Sequence, residues 1–155
     1  MSREIRRVPI DWEHPRQRCH HSPWKGGCDD SLANGGECYA SLYDQTWAEA
    51  MAEYRRDPAD YDNMPPNPLY YRPDFGETAT AFQVYETVSE GSPVSPVFET
   101  EDALLDWLVN DGSGLGIGGS KMPLTREQAE RFVHDTYAPS MIYSNATGFV
   151  SGLEL

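Results

Sequence analysis

The chain has 155 residues, enough for one domain with a hydrophobic core, and its 13 Gly and 12 Pro predict many turns in a compact fold. Its 25 acidic and 12 basic residues give a formal net charge of −13 at pH 7, which argues against direct binding to nucleic acid because phosphates repel such a surface. No run approaches the roughly 20 apolar residues that span a bilayer, and the N-terminus lacks the apolar core of a signal peptide, so we expect a cytoplasmic protein without a membrane contact.

Residues 1–39 show little periodicity and predict an irregular N-terminal segment, followed by an α+β body over residues 40–155. Within the segment, Ile5, Val8 and Ile10 predict a short edge strand, which the proline between the last two limits. The segment also carries a basic cluster that is interleaved with acidic residues and therefore predicts a mixed, solvated surface. The members of this cluster are Arg3, Arg6, Arg7, Arg16 and Arg18.

Residues 40–56 predict the first helix, because apolar side chains recur there at three- and four-residue spacing. Its predicted apolar face consists of Tyr43, Trp47, Ala50, Met51 and Tyr54. Residues 57–79 are too rich in proline for a helix or a central strand. Their aromatic residues predict a loop packed on the body or, alternatively, a tyrosine-rich contact surface.

Residues 80–88 alternate in the manner of a strand with one face mostly buried. The two Ser-Pro pairs that follow predict a stiff, extended crossover from Gly91 to Phe98, because each proline fixes its own φ and extends the serine before it. A proline-rich recognition peptide is the functional alternative. Thr100 is a suitable N-cap for a helix over residues 101–110, and we expect Phe98 to pack against its first turn.

The stretch DGSGLGIGGS at 111–120 contains five glycines and predicts a flexible surface loop, since it lacks the preceding strand and the Lys-Ser order of a phosphate cradle. Thr125 and Gln128 form a predicted capping box for a helix that runs to about Tyr137 and carries His134 in a surface or partly buried position. Two short strands are predicted near 140–144 and 148–153, with a turn over Asn145 to Gly148. These elements predict an α+β fold in which a small antiparallel sheet of three or four strands packs with three helices.

The segment VYETVSEGSPVSPVFETEDALLDWLVNDG, the following LTREQAERFVHDTYAPSMI and the terminal GFVSGLEL resemble a family of small, mostly uncharacterised proteins of tailed bacteriophages, especially those of actinobacteria. The family shares the Ser-Glu-Gly-Ser-Pro-x-Ser-Pro-Val-Phe core, a Trp-Leu helix after it and an Ala-Pro-Ser motif. The likeness covers roughly residues 82–155, and the opening RRVPIDWEHP also resembles the family's N-terminus. It implies a phage origin and therefore action in the cytoplasm of a host cell.

All three cysteines and three of the four histidines lie between residues 14 and 38. In a reducing compartment this clustering favours a structural zinc site, with Cys19, Cys28, Cys38 and His21 (or His20) as a closed tetrahedral set. The spacing lacks a Cys-x₂-Cys knuckle, and ordinary buried thiols with exposed imidazoles are the alternative.

A small acidic phage product predicts a non-enzymatic inhibitor that binds a host protein or nucleoprotein complex, such as a CRISPR effector or a restriction enzyme, in place of nucleic acid. The predicted contacts are acidic residues near the 101–110 helix and tyrosines of the 57–79 loop: Glu99, Glu101, Asp102, Asp106, Asp111, Tyr61, Tyr70 and Tyr71. Two alternatives are a small zinc-containing nuclease or hydrolase that uses His21 and Cys28, and a virion or assembly component.

Overall fold

The computed structural model describes residues 2–20, 27–87, 91–140, 142–144 and 148–153. The chain divides into two compact units. Unit 1 comprises Met1–Trp12 and Phe75–Leu155, and unit 2 comprises Glu13–Asp74. The sequence-based division placed its boundary after residue 39 instead, whereas the first twelve residues group with the C-terminal half of the chain.

The described residues contain four α-helices and nine short strands, which confirms the predicted α+β class. The helices are α1 Asp29–Ala33, α2 Trp47–Arg56, α3 Glu101–Asn110 and α4 Arg126–Asp135. The strands are β1 Arg3–Val8, β2 Arg16–Arg18, β3 Glu37–Tyr39, β4 Tyr43–Thr46, β5 Tyr71–Arg72, β6 Ala81–Glu86, β7 Tyr137–Ala138, β8 Ile142–Ser144 and β9 Gly148–Val150. No helix in these described ranges is both long enough and apolar enough to traverse a bilayer.

Unit 1 is organised around a three-stranded antiparallel sheet with the order β6-β1-β7. β1 pairs along its whole length with β6, from Arg3 opposite Glu86 to Val8 opposite Ala81. It is therefore the central strand, and the prediction of an edge strand was wrong. The proline that was expected to limit it lies just beyond Val8, so every residue of β1 keeps an N–H group.

Both faces of β6 are buried, whereas the alternation predicted one. Val84 lies in a core with leucines of α3 and Phe132 of α4. On the opposite face, Ala81 and Tyr85 pack in a second cluster with Val8. The second cluster is closed by partly buried aromatic residues from outside the sheet, which the local pattern of β6 does not reveal.

The Ser-Pro segment is extended, as predicted, and lies along β6. Phe98 and Phe82 exchange two backbone hydrogen bonds of 2.8 Å, and the Val94 N–H donates to the Val84 carbonyl at 2.9 Å. The buried Ser95 hydroxyl accepts from the Val84 N–H at 2.8 Å. A side-chain oxygen thus completes a ladder of backbone bonds, which favours a structural role for the segment.

The predicted capping residues mark the N-termini of α3 and α4. Thr100 accepts from the Ala103 N–H at 3.2 Å, and the predicted capping box at the start of α4 is present. Phe98 packs on Trp107 in the second turn of α3, with ring centroids 5.5 Å apart.

α2 begins at Trp47, not at residue 40 as predicted. Thr46 and Glu49 form a reciprocal capping box at this point: the Glu49 N–H donates to the Thr46 hydroxyl at 3.2 Å, and the Glu49 carboxylate accepts from the Thr46 N–H at 2.8 Å. A capping box stops a helix from extending further back along the chain. The four residues before the helix form β4 instead.

Unit 2 contains the antiparallel pair β2–β3 and the parallel pair β4–β5. The proline-rich loop forms short 3₁₀ turns at Pro58–Tyr61 and Pro68–Tyr70. It packs on α2, as predicted. The ring centroid of Tyr61 lies 6.1 Å from that of Tyr54, and the Trp47 indole N–H donates to the Pro66 carbonyl at 3.0 Å.

The glycine-rich loop contributes to the core, since Leu115 is only 4% exposed. The prediction of a flexible surface loop was therefore incomplete, because one of its side chains is buried in the core. Gly112 has φ +57°, and a Cβ there would lie 2.4 Å from the Met122 carbonyl oxygen, so glycine is required at this close approach. β8 and β9 pair as an antiparallel hairpin, as predicted, although residues 145–147 of the predicted turn lie outside the described residues.

Candidate metal centre and contact surfaces

Three elements of unit 2 bring the cysteine side chains together. Cys19 directly follows β2, Cys28 is the N-cap of α1, and Cys38 is the middle residue of β3. Their three Sγ atoms all lie within 4.8 Å of one another, and those of Cys19 and Cys28 are 3.6 Å apart. The clustering that the sequence predicted is therefore present for the three thiols.

Backbone hydrogen bonds create this convergence. β2 pairs with β3 so that Gln17 lies opposite Cys38, and the Cys19 N–H donates to the Gly36 carbonyl at 2.9 Å. The fully buried Ser31 hydroxyl donates to the Cys28 carbonyl at 2.8 Å. The first bond places Cys19 beside the start of β3, and the second fixes the backbone at Cys28.

Gly27 allows the chain to approach the cluster closely. Its φ is +132°, and a Cβ at this position would lie 2.0 Å from the Ser31 hydroxyl and 3.7 Å from the Cys19 sulfur. Any other residue would therefore be strained at this φ, and the Ser31 side chain or the backbone beside Cys28 would have to shift.

Asp30 connects α1 to the hairpin. Its carboxylate accepts from Arg16 at 3.1 Å and from the Tyr39 backbone N–H at 3.1 Å, and it also accepts from the Asn34 amide at 2.9 Å. The Arg16 guanidinium lies 3.9 Å from the centre of the Tyr39 ring. This network fixes the backbone on either side of the cysteines.

The arrangement of the thiols suits a metal ion. Tetrahedral coordination with Zn–S bonds of about 2.3 Å places two sulfurs about 3.8 Å apart, whereas a disulfide requires about 2.05 Å. The 3.6 Å between Cys19 and Cys28 fits the first distance and not the second. The Cys28 N–H also donates to the Cys19 sulfur at 3.4 Å, a bond that favours the thiolate. The three cysteines can therefore hold a metal ion.

Burial gives the Cys38 thiol a preference for the neutral form that a bound cation would reverse. Cys38 is 3% exposed, and burial, with the neighbouring thiols Cys19 and Cys28, raises the pKa of Cys38 to about 12. A divalent metal deprotonates the thiols that coordinate it.

The histidines do not complete the site among the described residues. His21, the predicted fourth ligand, lies outside the described residues, and His20 is exposed. His14 is buried, with its Nε2 2.7 Å from the Ala40 carbonyl oxygen and its ring against Tyr39. His134 is exposed, as predicted, and its Nδ1 lies 2.8 Å from the Asp135 carboxylate.

Most of the predicted acidic contact residues lie on the exposed side of α3. Glu101, Asp102 and Asp106 are exposed on this helix, and Glu99 is exposed just before it. Asp111 differs, because it pairs with Lys121 at 2.7 Å. Hydrogen bonds from Lys121 lower the pKa of the Asp111 carboxyl group, so its charge is already neutralised within unit 1.

The three predicted contact tyrosines have different environments. Tyr70 is 51% exposed. The Tyr61 hydroxyl donates to Glu53 at 2.8 Å, and this bond raises the pKa of Tyr61 to about 12. Tyr71 is partly buried against Tyr43, with ring centroids 5.3 Å apart. Only Tyr70 of these three presents most of its ring to a partner.

Sequence reasoning missed two exposed aromatics beside them. Tyr43 and Trp47 were placed on a buried helix face, yet they are 62% and 42% exposed. The Thr-x-x-Glu spacing that starts α2 after Tyr43 was the available signal.

The arginines near the N-terminus are engaged within the protein. Arg3 is 1% exposed and donates to the Gly114 carbonyl at 2.9 Å; burial lowers its pKa. The guanidinium groups of Arg6 and Arg7 lie over aromatic rings of β6, at 4.4 Å from Tyr85 and 4.1 Å from Phe82. These contacts fit the mixed surface expected from the sequence better than a phosphate-binding patch.

Comparisons of the chain with protein-family models, with curated proteins and with solved structures found no match.

Proposed function

We propose that the protein is a non-enzymatic, phage-encoded inhibitor that occupies the nucleic-acid site of a host defence complex, of the anti-CRISPR or anti-restriction type. Its net charge of −13 supports a surface that competes with phosphates for arginine and lysine. The resemblance to phage proteins supports the class of target. A structural zinc ion bound by the three cysteines stabilises unit 2 in this proposal.

The observation that carries the inhibitory role is the presentation of carboxylates by α3. Glu101, Asp102 and Asp106 are exposed, while the other side of the same helix buries three leucines in the core. A helix held in this way offers charges in a fixed arrangement, so less conformational entropy is lost when a cationic site binds them. Arg126 pairs with Glu130 at 2.7 Å and lies 4.0 Å from Asp106, so it offsets only part of the charge of this row.

Affinity purification from an actinobacterial host, followed by mass spectrometry, tests this role. We expect a nucleic-acid-binding partner that loses nucleic-acid binding in the complex and that is released as salt rises. Replacing the three α3 carboxylates by Gln or Asn should weaken the complex by about tenfold or more, given the worth of interfacial charges. The matched control changes three other exposed acids: Glu13→Gln, Glu77→Gln and Glu127→Gln. Equal weakening by both triple variants, or a purification without a protein partner, would contradict the proposal.

The proposal of a zinc ion rests on the distances between the three sulfur atoms, which all lie within 4.8 Å of one another. Elemental analysis of protein purified without a histidine tag should find about one zinc per chain. Less than about a tenth of an equivalent would reject the centre, since a structural site of this type binds tightly. The fourth ligand is predicted to be His21, so His21→Ala should lower the affinity for zinc while retaining the three thiols.

The two alternative functions can be tested with the same purified protein and with purified phage particles. A zinc-dependent nuclease or hydrolase predicts turnover of DNA, RNA or an ester that is lost in Cys28→Ala. A virion component predicts that the chain appears in purified particles. Either result would displace the inhibitory role.

A further inference from the structure

Unit 2 exposes large apolar side chains that do not take part in its metal centre. Six of the described ones are more than two-fifths exposed. Leu32 lies on α1, and the other five lie on α2, β4 and the proline-rich loop: Tyr43 62%, Trp47 42%, Met64 67%, Leu69 76% and Tyr70 51%. Single exposed apolar residues are ordinary on protein surfaces, whereas a contiguous group marks a site of interaction.

Two contacts bring together the elements that carry the last five of these residues. The exposed side chains of those five residues are here called the aromatic surface. The Trp47 indole N–H donates to the Pro66 carbonyl at 3.0 Å, which places the first turn of α2 beside the loop from Met64 to Tyr70. β4 pairs with β5 so that Tyr43 lies beside Tyr71, the neighbour of Tyr70 in the chain. These contacts bring α2, β4, β5 and the proline-rich loop together, and the five exposed side chains lie on these elements.

The segment of the chain that carries the aromatic surface is acidic. Residues 43–74 contain seven acidic and three basic residues. One of the three, Arg72, is paired with Asp44 at 3.0 Å. Aromatic rings within a negative field bind guanidinium groups especially well, because the planar cation stacks on a ring while carboxylates balance its charge. A second copy of the chain fits this surface poorly, since a symmetric contact would oppose identical negative charges.

We propose that the aromatic surface is a docking site for an arginine-rich segment of a partner protein. The identity of that partner rests on the proposed function, while the preference for arginine rests on this surface alone. The inference adds a second contact region, on unit 2, to the α3 carboxylates of unit 1.

Fluorescence polarisation with labelled nona-arginine and nona-lysine peptides at 150 mM salt tests the proposal. The two probes have the same charge, so a general attraction to an acidic protein binds them equally. Stacking on two or three rings should make the arginine peptide about fivefold tighter or more. The double variant Trp47→Ala, Tyr70→Ala should lose this preference, while binding of nona-lysine changes little. Ile117→Ala is the matched control, because this unit 1 side chain is 97% exposed and apolar.

A second variant guards against a folding defect, because Trp47 also bonds to the loop. Leu69→Ser with Tyr70→Ser alters only side chains that are more than half exposed, and it should reduce the preference with an unchanged melting temperature. Equal affinity for both peptides would overturn the proposal, as would an equal loss in Ile117→Ala. A dimer that dissociates in the double variant would also overturn it, since the surface would then be a self-contact. An arginine preference without any host partner would reject the proposed function and leave this inference standing.

Discussion

Replacing Cys38 by Ser removes the most buried of the three thiols and should prevent unit 2 from holding zinc. The magnitude follows from the spacing of the ligands, which are nine and ten residues apart along the chain. Closing a loop of about ten residues removes conformational entropy from the unfolded chain and raises its free energy by about 2.7 kcal/mol. A metal that closes both loops therefore contributes about 5 kcal/mol to stability. Small domains have a free energy of unfolding of about 5–15 kcal/mol in total, so this loss is a large part of the stability of unit 2.

The assay is urea unfolding of the wild-type protein and of Cys38→Ser, each with added zinc and with a chelator. We expect the chelator to lower the unfolding midpoint of the wild-type protein to that of the variant, and zinc to have no effect on the variant. Leu108→Ala is the control, because Leu108 is 0% exposed in the core of unit 1. It should lose about 2–5 kcal/mol of stability and keep its response to zinc. Identical midpoints for wild-type protein with zinc and with chelator would refute the reasoning from loop closure.

Three smaller effects also follow from the structure. Ser95→Ala should lower the free energy of unfolding by about 1–3 kcal/mol in urea titrations, because the buried Val84 N–H loses its acceptor; an unchanged midpoint would contradict this role. Hydrogen bonds from Thr46 lower the pKa of Glu49, so its contribution to stability is present above its unfolded pKa of about 4.3 and is lost as pH falls through the folded value. Acid titration monitored by circular dichroism should therefore show a shallower loss for Glu49→Gln, and identical curves would count against the capping box. Gly27→Ala should weaken zinc binding in a competition with a chelating dye, because the added methyl would overlap a hydroxyl 2.0 Å away.

Features with short-range causes could be predicted from the sequence. Thr100 and Thr125 mark helix starts because each side chain bonds to an N–H three residues ahead. The extended course of the Ser-Pro segment follows from the restricted φ of proline in the same way. The missed start of α2 was also local, since Thr46 and Glu49 have the spacing of a capping box, but the apolar periodicity before them suggested a longer helix.

The candidate metal site was only half predictable. Counting cysteines and histidines identified Cys19, Cys28 and Cys38 as a group, and the expectation of a reducing compartment suggested zinc. The spacing alone did not show that the thiols meet, because this depends on the β2–β3 pairing and on the approach of the backbone at Gly27. The aromatic surface was partly missed for a related reason: Tyr43 and Trp47 have a core-like periodicity, and only the packing around them shows which rings remain exposed.

The sequence by itself determined the α+β class, the acidic character, the caps of α3 and α4 and the grouping of three cysteines that can hold a metal ion, because these depend on composition or on residues within one turn of each other. Only the tertiary structure decided that β1 is central and pairs with β6, that both faces of β6 are buried, and that three thiols converge. The partners of β1 lie 73 or more residues away along the chain, the shortest separation being that from Val8 to Ala81. The burial of the whole unit determines which strand pairs with β1 and which side chains bury β6. Local periodicity does not contain this information.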